Sequence, residues 1–96
     1  MTDACLRIAD HDAVRLITIH RPERLNALDS ATLDALHAAA DAAAEDPSVR
    51  VVVITGAGPK AFVAGADIAQ MAELTPAQGR DFALRGQRMM RRFERL

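Results

Sequence analysis

Large aromatic side chains are scarce in this sequence, which has no Trp, no Tyr and three Phe in 96 residues. Core-filling side chains are therefore few, and the core expected from composition is thin for an independent fold. A single Cys, Cys5, excludes an internal disulfide, and no Cys/His spacing resembles a zinc site. No metal site is expected, with His11, His20 and His37 read as solvent-exposed or strand-end residues. No stretch approaches the roughly 20 apolar residues of a membrane span, and no basic region is followed by an apolar one at the start, so the chain reads as cytoplasmic. Charge of one sign is also in short supply. The net charge of −1 gives no reason to expect nucleic acid or an anionic membrane as partner.

Half of the residues are hydrophobic, many of them Ala, and the length suits one domain spanning 1–96. The charge is unevenly spread. Residues 79–96 carry six Arg against Asp81 and Glu94, a local +4 that leaves residues 1–78 at −5. Neither an internal repeat nor a low-complexity linker is present.

The pattern of apolar residues predicts an α/β order. Leu6 to Ala9 reads as a first strand, Asp10-His11-Asp12 as a polar hairpin turn, and Val14 to Ile19 as a second strand. His20 to Leu28 is a loop stiffened by Pro22, whose ring sets its own φ and pushes Arg21 towards an extended conformation. Asp29 or Ser30 caps a helix over about 30–45, with Leu33, Leu36, Ala40 and Ala43 on one apolar face. A strand at 49–55 follows, which requires the helix to cross over one face of the sheet. A short helix is expected over about 66–73. Thr75-Pro76-Ala77-Gln78 then has the form of a capping box opening a helix that runs to Leu96, with Phe82, Gly86, Met89, Phe93 and Leu96 as its apolar stripe.

The most informative stretch is Val51 to Ala69, VVVITGAGPKAFVAGADIA. Its β-branched run reads as a fully buried strand, stopped by Gly56, Gly58 and Pro59. Ala64-Gly65-Ala66-Asp67-Ile68 then places tiny side chains just before a helical turn, leaving backbone N–H groups uncovered. Amides there are suited to gripping a developing negative oxygen. Tight strand-to-helix packing is the plainer meaning of the same residues.

Two segments resemble the crotonase superfamily of enoyl-CoA hydratases and isomerases. Lys60-Ala61-Phe62-Val63-Ala64-Gly65-Ala66-Asp67-Ile68 is similar to its oxyanion-hole loop, and His20 to Leu28, HRPERLNAL, resembles its R-P-x-x-x-N-A-L element. They occur in the family's order. The resemblance implies the N-terminal portion of a crotonase-like spiral of ββα units, and an acyl-coenzyme A thioester as ligand. It gives Ala66 as the backbone donor of the oxyanion hole. It places Ala64, Gly65, Asp67 and Ile68 around the acyl-coenzyme A pocket, Arg24, Leu25 and Ala27 on the pantetheine side, and Lys60 or Arg24 at phosphate. Asn26 is expected to tie its loop through the side-chain amide. No separate cofactor is implied, since coenzyme A is part of the substrate. A homo-oligomer, a trimer or dimer of trimers, is implied for a complete family member.

The parent activity implied is hydration of an enoyl-CoA in fatty-acid oxidation. Isomerisation, dehalogenation and thioester hydrolysis share this half of the site. The family's two catalytic glutamates and its second amide match nothing here; Glu45 and Glu94 fit no such motif, Glu73 is kept as a candidate participant near the pocket, and no general acid or base is assigned. Two rival readings remain. Gly56-Ala57-Gly58-Pro59-Lys60-Ala61 follows a strand and fits a dinucleotide phosphate loop, which needs a helix, a second strand and an acidic residue about 20 positions on, where residues 76–82 instead begin a capped helix. A Walker loop is excluded because Gly-Lys-Ser/Thr is absent. The second rival is a truncated or non-catalytic relative that binds acyl-coenzyme A or another subunit.

Overall fold

A computed structural model describes residues 5–96; the expected domain span and the reading of the chain's start begin in the four residues outside it. The first elements are β1 (Leu6–His11) and β2 (Val14–Ile19), an antiparallel hairpin in register from Leu6 opposite Ile19 to His11 opposite Val14. The strand runs further than the polar residues suggested, and the turn narrows to Asp12-Ala13, with Asp12 at φ 55°. A short polar side chain tolerates that left-handed conformation.

After the motif-bearing loop, α1 (Ser30–Glu45) opens on Asp29, whose Oδ1 accepts from the Thr32 N–H at 2.9 Å and from the Thr32 hydroxyl at 2.6 Å. α1 carries the chain over to β3 (Val51–Gly56), which pairs parallel to β2 from Val14–Val51 to Ile19–Gly56. The sheet order is β1-β2-β3, so β2 is central, and its Ile17 and Ile19 are fully buried. β3 is an edge strand. The expectation of a fully buried strand is therefore wrong: Val51 and Val53 are 51% and 43% exposed, because no element covers that side among the described residues.

The single turn α2 (Ile68–Met71) is shorter than the expected 66–73. α3 (Pro76–Glu94) has the anticipated capping box, in which the Gln78 N–H donates to Thr75 Oγ1 and the Thr75 N–H donates to Gln78 Oε1. α3 packs chiefly on α1 through Phe82 and Met89, with Leu33, Leu36 and Ala39 facing them and β1 and β2 beneath. The anticipated faces are borne out except at the end of α3, where Leu96 is exposed. Two ion pairs, Arg85–Asp34 and Arg92–Asp41, cross-link the helices at the rim.

Candidate functional site

The chain leaves β2 at Ile19 and turns at once. Pro22–Arg24 forms one 3-10 turn, and Leu25 and Asn26 follow at φ 54° and 59°. Two consecutive non-glycine residues in the left-handed region require outside support. Asn26 supplies it. Its side chain is 1% exposed; Oδ1 accepts from the Arg21 N–H, while Nδ2 donates to the carbonyls of Ala57 and Ala61, all at 2.9 Å. The amide thus holds its own loop and staples it to the loop after β3, the structural role anticipated for it. Gly56 permits this approach: a Cβ there would lie 2.2 Å from the Phe62 carbonyl oxygen and 2.7 Å from Asn26 Nδ2.

The second motif crosses the first through backbone hydrogen bonds. The Ala64 N–H donates to Leu25 O at 3.1 Å, the Leu28 N–H to Gly65 O at 2.8 Å and the Asp67 N–H to Leu28 O at 2.8 Å. Leu28 and Ala66 form an isolated parallel bridge. In extended backbone successive N–H groups alternate in direction, so the Ala66 N–H faces away from Leu28. No backbone or side-chain acceptor takes it among the described residues. Ala66 is exposed, and Gly65 at φ 129° has a conformation open to glycine. The amide is free because of this alternation. A single turn of helix, as in α2, contributes little dipole.

Polar side chains complete the crossing. The Arg21 guanidinium donates to Ala27 O and, at 3.1 Å, to Asp67 Oδ2, and lies 3.4 Å from Asp29 Oδ2. Asp67 Oδ1 accepts from the Gln70 N–H at 3.2 Å and so caps α2. That backbone donor, and then Arg21, hold the Asp67 carboxyl below the usual carboxylate range. Gln70 also exchanges two hydrogen bonds with Ser30, one to its N–H and one to its hydroxyl, both at 2.8 Å.

Two loops crossed in this way, on a parallel β-α-β frame, can be compared with known proteins. The enoyl-CoA hydratase/isomerase family matches residues 9–95. The chain belongs to this family. It is 45% identical over 83 residues to the short-chain-enoyl-CoA hydratase of Clostridium acetobutylicum, and 41% identical over 83 residues to the crotonyl-CoA hydratase of Syntrophomonas wolfei. Each alignment takes in 86% of this chain, which spans about a third of the length of these curated relatives, 32% in both cases. Among solved structures, an enoyl-CoA hydratase from Bacillus anthracis superposes with a TM-score of 0.93 at 31% identity, covering 96% of this chain and 36% of that one. The fold is the N-terminal part of the crotonase fold.

Within this family framework the remaining anticipated residues fall into two groups. Leu25, Ala27, Ala64, Gly65, Ala66 and Asp67 are brought together by the crossing. Lys60 joins Leu25 at a small pocket of about 160 Å³ that also includes Pro22, Ala57 and Ala61. Arg24 is exposed on its 3-10 turn, and Ile68 stands in solvent at 81% exposure. The Asp67 side chain is committed to Arg21 and Gln70. Glu45, Glu73 and Glu94 are all exposed, and none hydrogen-bonds within the crossing. The segment after Gly56 contains no helix until Ile68, which contradicts the dinucleotide-loop reading. A larger concavity of about 820 Å³ lies elsewhere, between β3 and the C-terminal ends of α1 and α3, with Val52, Ile54, Phe93 and Leu96 in its wall. Sequence reasoning missed Arg21 and Gln70 as working residues. Their partners lie 46 and 40 positions away, and the one local signal was the place of Arg21 at the head of its motif.

Proposed function

We propose that the protein handles acyl-coenzyme A thioesters as an enoyl-CoA hydratase, with the Ala66 N–H as one donor of its oxyanion hole. The observation that carries this reading is the Ala66 amide, which has no acceptor among the described residues, at an exposed, small-residue crossing where the amides of Ala64 and Asp67 are occupied and that of Gly65 is not. Water adding across a conjugated enoyl thioester moves negative charge onto the carbonyl oxygen. A donor already aimed at that oxygen stabilises the charge without reorganising, commonly about 100- to 1,000-fold in rate for one donor. The loops carrying Arg24, Leu25, Ala27 and Lys60 border the same crossing and would meet the coenzyme A portion. Proton transfer is assigned to none of Glu45, Glu73 and Glu94. Hydration is favoured over double-bond isomerisation because the two relatives named above are hydratases.

Ala66→Pro tests the reading cleanly. It deletes the proposed donor, and neither hydrogen bond of the Leu28–Ala66 bridge uses the Ala66 N–H. With crotonyl-coenzyme A, the expected outcome is loss of hydration, read as loss of the enoyl-thioester absorbance, by about 100-fold or more. Unchanged turnover would sink the assignment of this loop.

A second reading, a module that associates with another subunit and binds acyl-coenzyme A without turnover, is favoured by one observation. Among the described residues β3 has one unpaired edge, with Val51 and Val53 exposed on one face and Val52 and Ile54 on the other lining a concavity with Met90 and Leu96. Sedimentation of the protein with and without crotonyl-coenzyme A separates the two readings when run beside the hydration assay. Association and binding without turnover favour the module; turnover favours the enzyme.

A further inference from the structure

We infer that Arg21 is a positioning residue that aims the Ala66 amide, and this inference rests on the oxyanion-hole reading above. The geometry is specific. The two residues of the isolated bridge, Leu28 and Ala66, are each followed directly by a helix-capping aspartate: Asp29 for α1 and Asp67 for α2. One guanidinium reaches both carboxylates, at 3.4 Å and 3.1 Å, and also binds the carbonyl of Ala27, the residue before the bridge. Arg21 therefore grips the crossing from both strands, on the C-terminal side of each bridge residue and on the N-terminal side of one. Its side chain is 15% exposed and that of Asp67 is 11% exposed, so water competes little for the pair.

Apolar packing reaches this segment at Val63, which lies against the core, but not at the larger side chains on either side of Ala66. In the segment that carries Ala66, Phe62, Ile68 and Met71 are 58%, 81% and 45% exposed, and nothing comparable to the α1–α3 contact holds it down. The orientation of the segment depends largely on directional polar contacts: the backbone pair Leu28 N–H to Gly65 O and Asp67 N–H to Leu28 O, and Arg21–Asp67, the side-chain tie between the two loops that is next to Ala66 in sequence. A planar guanidinium with several fixed donors can hold a carbonyl and two carboxylates at once, where an ammonium on a flexible stem holds a point.

The test uses the protein with saturating crotonyl-coenzyme A labelled at its thioester carbonyl. The readout is the carbonyl stretching frequency of the bound ligand, with Kd measured alongside. A shift to lower frequency on binding is expected in the unsubstituted protein; absence of that shift would overturn the oxyanion reading itself. Given the shift, Arg21→Met and Asp67→Asn are each expected to lose most of it while Kd stays within about threefold, because remote parts of coenzyme A supply most of the binding. Arg21→Lys should recover only part. Met89→Ala, which weakens the distant α1–α3 contact, should keep the full shift. A full shift in Arg21→Met, or a loss in Asp67→Asn alone, would overturn the role of Arg21. Should Arg21→Met fail to fold, Arg21→Lys decides the matter: a full shift overturns the proposal and a reduced one supports it.

Discussion

The body of the protein and the segment that crosses its motif loop are held together by different physics. In the body, Ile17, Ile19, Leu33, Leu36, Phe82 and Met89 bury nearly all of their side chains in one cluster. In the segment from Ala57 to Ala72 the large apolar residues Phe62, Ile68 and Met71 face outward, Val63 packs on the core, and the side-chain ties are polar: Asn26 to Ala57 and Ala61, Arg21 to Asp67, and Gln70 to Ser30. Hydrophobic burial is strong and non-directional, so it decides that layers meet without fixing an amide's direction. Hydrogen bonds add only about 0.5–1.5 kcal/mol each in net terms, but they specify angles. Burial dominates in the body, and directional bonds dominate at the crossing.

The largest expected effect attacks the body. Leu36→Ala removes a side chain that is 2% exposed, at a cost of about 2–5 kcal/mol. That is a large share of the roughly 5–15 kcal/mol margin of a domain, and denaturant midpoints with a constant slope would show it. A cost near that of a surface change would mean that the body is not the stabilising half.

A smaller effect should follow where body and crossing join. Gly56→Ala drives a methyl to 2.2 Å from a backbone oxygen that cannot swing aside, and close to Asn26 Nδ2. Overpacking of this kind costs about 1–3 kcal/mol. Amide exchange should quicken first over residues 21–28 and 57–67, with the α1–α3 contact spared; uniform quickening would erase the distinction between the two regions.

The smallest effect is a pH dependence of the crossing. The native Asp67 carboxyl titrates below its ordinary range, chiefly through the Gln70 N–H and then Arg21, so the folded state binds fewer protons there than the unfolded chain. The stabilisation is complete above the ordinary carboxylate range and is lost as pH falls through the lowered native value. Asp67→Asn should therefore lower stability at neutral pH, with the gap to the unsubstituted protein narrowing in acid. Midpoints measured across that interval check it, and a gap independent of pH would show that the ionised pair contributes nothing. Asp10, Asp41 and Asp46, likewise lowered by Arg15, Arg92 and the Ser48 hydroxyl respectively, keep their share of the acid slope in the variant.

Much of the frame was legible because its signals are local. Asp29 and the Thr75–Gln78 pair mark helix starts within four residues of the groups they satisfy, and the apolar spacing of α1 matches its buried face. The tie made by Asn26 was legible through the family motif, and the structure shows its amide buried with the loop backbone as its partners. The burial of β3 was misread. A β-branched run reports a strand's preference for cover, and cover is provided by neighbours that the run does not encode.

The sequence by itself determined the order of strands and helices, their caps, the two family motifs and the small residues that leave a backbone amide bare. Periodicity, capping and turn chemistry act over a few residues, so they can be read along the chain. The tertiary structure decided which amides of the crossing are occupied and which side chains tie it. The Ala66 N–H is unoccupied because Leu28 pairs with its neighbours on the other side, and Arg21 reaches Asp67 across 46 positions once β2, α1 and β3 have folded the chain back on itself. Hydrogen-bond direction depends on where two distant segments meet, and that meeting is set by the packing of the body beneath them.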